Sequence, residues 1–364
     1  MSSTHLTEIQ SVPTSGARGV EPFDLDGMHL LAIPQLAYDM PDTSADMNGG
    51  DSDTDLLLLK RGERGYEPFQ RVPAPGGEDA EFFRIGDRAF LAVASIRTGN
   101  GPYRYATSSH VLEWDGTSFA EFQSFDSFAA KQWRHFTIED RHFLALAQGV
   151  VLPEQEADNR PSQIFLWDGE RFAHFQDIDS RWAYNWHAFT VDGHHFLAHA
   201  EHVGPSVLYR FDGEEFRPHQ ELAARHGRAF AHFTADGDFF LLVARLQSDS
   251  QLLRWDGTRF VVRQTLHGPG AREFAVVPGP DGTVYVVRVN FVLGTPAEPT
   301  TDLDSEIYQW RDGQLVRTAS FPTTGATDVA TLHDDEGGLL IAVSHSLTAD
   351  VRFAARTVLY RFTL

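Results

Sequence analysis

The sequence predicts an all-β protein: a single seven-bladed β-propeller built from four-stranded antiparallel blades. Two repeating phrases carry this prediction, together with the way in which the two ends of the chain complement each other. The 364 residues suit a repeat array, and 42% hydrophobic with 22% charged residues is typical of a globular chain. We expect one domain that spans residues 1–364.

The first phrase reads apolar residue, Trp or Phe, Asp-Gly, short spacer, Phe and a final Gln, as in EWDGTSFAEFQ. Clear copies end at Gln123, Gln176, Gln220 and Gln264, and degenerate copies end at Gln70 and Ala319. These end points are 44 to 55 residues apart, which is the period of propeller blades. Asp-Gly is a signal for a type I′ hairpin turn, so each copy predicts the two outer strands, C and D, of one blade.

The second phrase lies between the copies of the first and reads, for example, FTVDGHHFLA. Apolar and polar residues alternate, a Gly or Asp pair makes a turn, and a second apolar run follows, which indicates a hairpin of two strands, A and B. Seven copies occur, at residues 23–32, 83–92, 136–145, 189–198, 233–242, 274–287 and 330–342.

The ends of the chain supply one blade between them. The last repeat has a C strand near 358–362 but no D strand, whereas residues 5–10 have D-strand character and end in Gln10. We therefore expect the amino-terminal strand to complete the last blade, which removes exposed sheet edges. The D strands are expected to end near Gln10, Gln70, Gln123, Gln176, Gln220, Gln264 and Ala319.

The combined unit, Phe-x-Ile-x-Gly-x-x-Phe-Leu-Ala followed by Trp-Asp-Gly-x-x-Phe-x-x-x-Gln, resembles the EAR, or EPTP, repeat. The resemblance covers nearly the whole chain and implies a propeller. It also implies a protein-interaction role, because relatives such as the leucine-rich glioma-inactivated proteins are secreted and carry modules that bind receptors. This chain has no cysteine and no recognisable partner module, so we transfer the blade fold and no ligand.

Composition excludes several classes of function. The formal net charge is −21, which argues against binding to nucleic acid or to anionic lipid. The absence of cysteine excludes disulfides, thiolate metal sites and a cysteine nucleophile. No apolar run is long enough to span a membrane, and no signal peptide is visible at the amino terminus. The expected compartment is therefore the cytoplasm.

We expect a site where the A strands surround the central channel, on the face that carries the B–C connections. Four of these connections are long, near 37–55, 96–108, 149–162 and 291–306, and long insertions in a compact repeat are often functional. Counting two residues back from the lead Phe of each A strand predicts a charged ring at the channel mouth. Its members, with the register of the last blade left open, are Glu21, Glu81, Arg134, His187, Ala231, Arg272 and Asp328.

Among these residues, Glu81 and His187 are the candidates for proton transfer, with Arg134 and Arg272 holding an anionic group. Trp133 and Trp186 are expected to shape the pocket, and Tyr105 to close over a ligand. Further binding candidates are Glu21 and Asp328, together with the B-strand ends Glu201, Arg245, Asn290 and His345. The alternative is that the same polar residues are structural staples between blades.

No organic cofactor is predicted. Two metal sites are left open: a transition metal on His187, Glu201 and His202, and Ca²⁺ in the channel on Glu21, Glu81 or Asp328. The favoured function is a small-molecule-binding propeller acting as a cofactor-independent acid–base enzyme, such as an isomerase, cyclase, lyase or hydrolase. The alternative is a non-enzymatic scaffold that binds a protein partner on one propeller face.

Overall fold

A computed structural model of the chain describes residues 5–152, 159–279, 282–334 and 337–363. Over these ranges the chain forms thirty β-strands and no helix. Seven four-stranded antiparallel sheets are arranged as a propeller, so the predicted fold class is confirmed. Within the same ranges there is consequently no helix long and apolar enough to cross a membrane.

Each blade is a meander that runs from an inner A strand to an outer D strand. Blades 1 to 3 are β2 (Glu21–Leu25), β3 (Met28–Ile33), β4 (Asp55–Gly62) and β5 (Gly65–Pro73); β6 (Gly77–Ile85), β7 (Arg88–Ser95), β8 (Ala106–Trp114) and β9 (Phe119–Phe128); and β10 (Gln132–Ile138), β11 (Arg141–Ala147), β12 (Ser162–Trp167) and β13 (Phe172–Ile178). Blades 4 and 5 are β14 (Ala183–Val191), β15 (His194–Glu201), β16 (Ser206–Phe211) and β17 (Phe216–Ala223); and β18 (Gly227–Ala235), β19 (Asp238–Arg245), β20 (Ser250–Trp255) and β21 (Phe260–Leu266).

The last two blades contain the exceptions to this plan. Blade 6 is β22 (Ala271–Pro278), β23 (Val284–Asn290), β26 (Asp302–Arg311) and β27 (Gln314–Thr324), and its B–C connection holds a small hairpin of β24 (Leu293–Thr295) and β25 (Glu298–Thr300). Blade 7 is β28 (Ala326–His333), β29 (Leu339–His345), β30 (Arg356–Thr363) and β1 (His5–Pro13). The amino-terminal strand therefore closes the ring, with His5 opposite Thr363 and Pro13 opposite Arg356.

The recurring glutamine joins neighbouring blades at six of the seven interfaces. The Gln123 side-chain amide donates to the Phe172 carbonyl at 2.8 Å, and its oxygen accepts the Phe172 N–H at 3.0 Å. We call this pair of bonds a glutamine clamp. Clamps also link Gln10 to Tyr66, Gln70 to Phe119, Gln176 to Phe216, Gln220 to Phe260 and Gln264 to Leu315. The glutamine lies inside the outer strand, which continues past it, for example to Phe128 in β9.

Two kinds of hairpin turn connect the strands. The A–B turns at Asp26–Gly27 and Asp192–Gly193 have positive φ at both residues, as a type I′ turn requires. The Trp-Asp-Gly turns differ from the type I′ prediction, because only their glycine has positive φ. In these turns the aspartate carboxylate accepts hydrogen bonds from backbone N–H groups two and three residues later in the chain. Asp115 accepts from Thr117 at 2.7 Å and from Ser118 at 2.8 Å.

The hydrophobic core lies between neighbouring blades. Each interface packs apolar side chains of adjacent A, B and C strands, and stacked phenylalanines recur there, as in Phe136 over Phe143 at a centroid distance of 5.3 Å. On the face that carries the B–C connections, which we call the loop face, a further buried cluster lies outside the blades. Its buried members are Leu36, Ala37, Leu246, Phe291, Leu347 and Phe353. We call this cluster the loop collar.

Candidate functional site in the central channel

A cavity of about 250 Å³ occupies the central channel, and residues from all seven inner strands line it. Glu21, Glu81, Arg134 and His187 all reach this cavity, as the sequence predicts. The inner strands contact one another around the ring, so each channel residue lies close to the backbone of the next blade.

The predicted proton-transfer residues are bonded to neighbouring inner strands. The Glu81 carboxylate accepts the His135 N–H at 2.9 Å and forms an ion pair with Arg134 at 3.0 Å. Glu21 accepts the Phe82 N–H at 3.2 Å. His187 shares a 2.7 Å ring–ring hydrogen bond with His232 of blade 5. These bonds staple adjacent blades together.

Blades 6 and 7 have a different register from the one that counting back from phenylalanine predicts. Ala271 pairs with the B-strand end Asn290, as Ala183 pairs with Glu201. Ala275 and Ala330 therefore occupy the level of Glu81, and the predicted ring is divided between levels of the channel. The reason is that Phe274 fills the position of Trp186, so it does not mark the same place as the lead phenylalanine of blades 1 to 5.

Asp328 belongs to a level of side chains that accept backbone N–H groups across the blade interface. It accepts the Val20 N–H at 2.8 Å, as Asp79 accepts that of Trp133 at 2.9 Å and Gln132 that of Trp186 at 2.6 Å. This interblade role is the alternative that the sequence left open.

Trp133 and Trp186 lie away from the cavity. Both are fully buried, each in a separate interblade core, and neither lines the channel cavity. Alternation explains the difference from the prediction, because the residue before Arg134 or His187 points to the other side of its strand. Tyr105 also stays outside the cavity and packs against Phe128 beneath the loop face.

The B-strand ends hold loop backbone in place and do not line the channel cavity. The Glu201 carboxylate accepts N–H groups of Arg181 and Trp182. Asn290 donates to the Asp304 carbonyl at 2.7 Å, and His345 contacts the Arg356 carbonyl at 2.8 Å. Arg245 donates to the carbonyl oxygens of Arg225 and Asp249.

A second ring lies nearer the loop face, and Arg272 is the one member that the repeat pattern predicted as a site residue. In five blades the inner strand carries a β-bulge, such as the shift between Ala183 and Asn185, and the extra residue projects from the strand. Together with the equivalent residues of blades 1 and 3, these form the mouth ring. Its members are Arg18, Glu78, Lys131, Tyr184, Arg228, Arg272 and Thr327.

A repeat signal for the mouth ring exists in the sequence. Each member directly follows an Ala or Gly, as in Ala17-Arg18, Gly227-Arg228 and Ala271-Arg272. An alignment on that small residue would have placed Arg272 among Arg18, Lys131 and Arg228. The lead phenylalanine cannot do so, because blades 6 and 7 lack it.

The mouth ring and the next level of the channel, which contains Asp79 and Glu273, differ in charge and in the direction of their pKa shifts. Burial, followed by repulsion from Glu81, raises the pKa of Asp79 to about 8. Burial, followed by Asp328, raises the pKa of Glu273 to about 8. In the mouth ring, burial lowers the pKa of Lys131 to about 7; attraction to Glu78 opposes this shift, and the neighbouring arginines add to it.

The metal sets left open by the sequence do not assemble among the residues that the structure describes. Within those ranges, no three His, Asp or Glu side chains are grouped so that they could hold an ion. Glu201 is engaged by loop N–H groups, and His202 packs against Trp182 and contacts Arg228. Asp328 lies at a different level from Glu21 and Glu81.

Comparisons with known proteins agree with the architecture. The family model of the EPTP domain matches residues 66–115, 118–168, 171–212 and 215–256. A human thrombospondin-type laminin G domain and EAR repeat-containing protein is 36% identical over 124 residues, 34% of this chain but only 17% of the relative. Chimpanzee leucine-rich repeat LGI family member 2 is 33% identical over 94 residues, 24% of this chain and 16% of the relative. The matched repeats, together with the seven blades, show that the chain belongs to the EPTP repeat family.

Proposed function

We propose that this propeller is a non-enzymatic interaction scaffold that binds a protein partner on its loop face. The observation that carries the proposal is the use of the candidate catalytic side chains as staples between blades: Glu81 to Arg134 and His135, and Glu21 to Phe82. A carboxylate committed to a neighbouring backbone N–H has a structural task that accounts for its presence in the channel. Membership of the EPTP family favours the same function.

The loop face offers a defined polar surface. Residues 39–55 contain six aspartates and no Lys, Arg or His, and we call this segment the acidic loop. It is anchored by Arg97, which donates to the carbonyl oxygens of Asn48 and Gly49 at 2.6 Å each. Asp39 accepts the N–H groups of Phe353 and Ala354. Asp42 and Asp46 remain exposed.

The chemistry of this surface favours a partner with a basic patch. Among the described residues, Ile9 and Val262 are the exposed large hydrophobic side chains, so recognition through a broad apolar patch is not supported. A fixed array of carboxylates instead attracts Lys and Arg and gives binding that weakens with salt.

The test is affinity capture from an extract of the cells that make the protein, followed by reconstitution of the purified complex. We expect one partner that co-elutes in a defined stoichiometry, with affinity that falls as ionic strength rises. The double variant Asp42→Asn, Asp46→Asn should weaken it by about tenfold or more. The matched control is Asp87→Asn, Asp140→Asn in exposed A–B turns. Equal binding by both double variants, or no partner at all, would contradict the proposal.

An acid–base enzyme on a small molecule is the second candidate, because Glu81, Arg134 and His187 do share one cavity. Burial lowers the pKa of His187 well below its usual value, which favours the neutral imidazole and makes it a weak base. Turnover of any compound from a panel of esters, lactones and isomerisable sugars, lost in both Glu81→Gln and His187→Gln, would favour this candidate over the scaffold.

A further inference from the structure

The mouth ring holds an excess of buried positive charge. Four of its seven residues are cations and one is a carboxylate, Glu78, whose carboxylate lies 3.4 Å from Nε of Arg18. The other three cations, Lys131, Arg228 and Arg272, are 4%, 4% and 8% exposed. None of them forms an ion pair with a carboxylate of the described residues. Charges this deeply buried are costly unless a counter-charge is supplied.

The hydrogen-bond donors of these cations are mostly unused. Lys131 Nζ has one long contact, 3.4 Å to the Ala129 carbonyl oxygen. Arg228 uses one nitrogen, Nη1, for His202 Nδ1 and the Gly227 carbonyl. The Arg272 guanidinium makes no hydrogen bond or ion pair to any residue in the described ranges, although it lines the cavity. Its donors are therefore available to a ligand.

Tyr184 orients the two arginines. The Arg228 guanidinium carbon lies 3.8 Å from the centre of the Tyr184 ring, and that of Arg272 lies 5.3 Å from it. Stacking on an aromatic face leaves the N–H edges of a guanidinium free for in-plane bonds to an oxyanion. Lys131 Nζ is 5.8 Å from the same ring, so three cations surround one platform.

Enclosure favours a small ligand. The cavity of about 250 Å³ is below the roughly 300–1,000 Å³ of pockets that hold drug-sized molecules. The loop collar contacts the mouth ring, since the Arg18 guanidinium carbon lies 5.4 Å from the centre of the Phe291 ring. Electrostatic attraction is stronger in such a site than at an open surface.

The carboxylates deeper in the channel do not replace a ligand. Asp328 is bonded to the N–H groups of Val20 and Val329, and Glu273 to that of Phe274. Neither lies within ion-pair distance of Arg272 among the described contacts. Arg272 therefore has no carboxylate partner at ion-pair distance, and Glu78 is the one carboxylate of the mouth ring that attracts Lys131 and Arg228.

We infer that the mouth ring is a binding site for a small, multiply charged oxyanion, a phosphate or a dicarboxylate, held by Arg272 and Lys131, which line the cavity beside Tyr184. The site lies inside the channel and is independent of partner binding on the acidic loop. Its failure would leave the scaffold proposal untouched.

Isothermal titration calorimetry and thermal unfolding of the full chain test the inference. The probes are sodium phosphate and sodium succinate, which distinguish the two oxyanion classes, with putrescine as a cationic probe and sodium chloride to hold ionic strength constant. We expect one-to-one saturable binding of phosphate or succinate and a matching rise in melting temperature. Arg272→Gln should weaken binding at least about tenfold, because it removes a charged donor pair.

Two further variants separate ligand binding from structural and bulk salt effects. Lys131→Met removes a buried charge, so without anion this variant should unfold at a higher temperature than wild type. Its melting temperature should nevertheless rise less than that of wild type when the anion is added. Arg64→Gln, at an exposed arginine beside Glu67 on the outer hairpin of blade 1, should respond as wild type does. Absence of saturable binding, an equal temperature rise in all variants, or binding of putrescine alone would overturn the inference.

Discussion

The glutamine that ends the first repeating phrase connects blades through its own side chain. Its amide satisfies one N–H and one carbonyl at the start of the next outer strand, as Gln123 does with Phe172. An amide carries a donor and an acceptor, which fits this pairing of one N–H with one carbonyl. The residue recurs because it supplies both bonds at six of the seven interfaces between blades.

Replacing Gln123 with alanine should lower the free energy of unfolding by about 1–3 kcal/mol, because two hydrogen bonds between blades are lost and their backbone partners are left unpaired. Chemical denaturation with urea measures the change. Gln314→Ala, at an exposed position of β27, is the control and should be nearly neutral. Equal stability of the two variants would show that the clamp does not stabilise the interface.

Asp79 should make stability depend on pH. Burial, then repulsion from Glu81, raises its pKa from 3.8 to about 8. In the unfolded chain the carboxyl loses its proton near its ordinary pKa, whereas in the folded protein it keeps the proton until about pH 8. The folded state binds more protons across this window, so stability falls as pH rises through it.

Melting temperatures measured between about pH 5 and pH 8 test this linkage. Wild type should lose stability towards the upper end, and Asp79→Asn should lose less, since the amide oxygen can still accept the Trp133 N–H. Asp87→Asn, in an exposed turn, should keep the wild-type slope. An unchanged slope in Asp79→Asn would show that this carboxyl is ionised in the folded protein.

At the scale of strands, the two turn types show how similar dipeptides give different hairpins. Asp192–Gly193 forms a two-residue type I′ turn between β14 and β15. Asp115–Gly116 belongs to a four-residue turn between Trp114 and Phe119, which are directly paired. The extra residues let the Asp115 carboxylate reach the N–H groups ahead of it, so Asp-Gly alone does not determine the turn.

Gly116→Ala should lower the free energy of unfolding by about 1 kcal/mol, since a side chain is strained at positive φ. Its φ is +98°, and a Cβ there would meet no atom within 4 Å, so the change isolates backbone strain. Gly62→Ala is the control and should be neutral or slightly stabilising. Gly62 lies in the equivalent hairpin of blade 1, and its own φ is not positive. Urea denaturation of both variants measures the difference, and equal losses would contradict the explanation.

For the molecule as a whole, the interface between blades 6 and 7 differs from the other six. Ala319 stands where a glutamine would form the clamp. Blade 7 also contains the point of ring closure, because its outer strand is the amino-terminal β1. Closure therefore depends on the pairing of β1 with β30 and on the apolar interface formed with Leu6, Phe321 and Phe362.

Deleting residues 1–13 should destabilise the propeller severely and promote aggregation, because β30 becomes an exposed edge strand. A permuted chain that begins at Thr14 and joins His5–Pro13 after Thr363 through an Asn-Gly turn should fold normally. Antiparallel pairing of His5 with Thr363 allows such a turn. Size-exclusion chromatography and thermal unfolding compare the two; a stable monomer from the deletion would contradict this account of closure.

The sequence by itself determined the number of blades, the strand order and the closing strand. Local patterns at a regular period specify these features, and every repeat must bury the same faces against its neighbours. Glu21, Glu81, Arg134 and His187 could also be assigned to the channel, because the lead phenylalanine marks the register in blades 1 to 5.

Only the tertiary structure decided which residues meet in the channel and at what level. A bulge inserts one residue into an inner strand without changing the apolar pattern that follows, so the projection of Arg228 and Arg272 is not visible in that pattern. Partners such as Arg134 with Glu81 come from different blades. Their distance depends on how the blades pack around the axis, and no local pattern of residues contains that information.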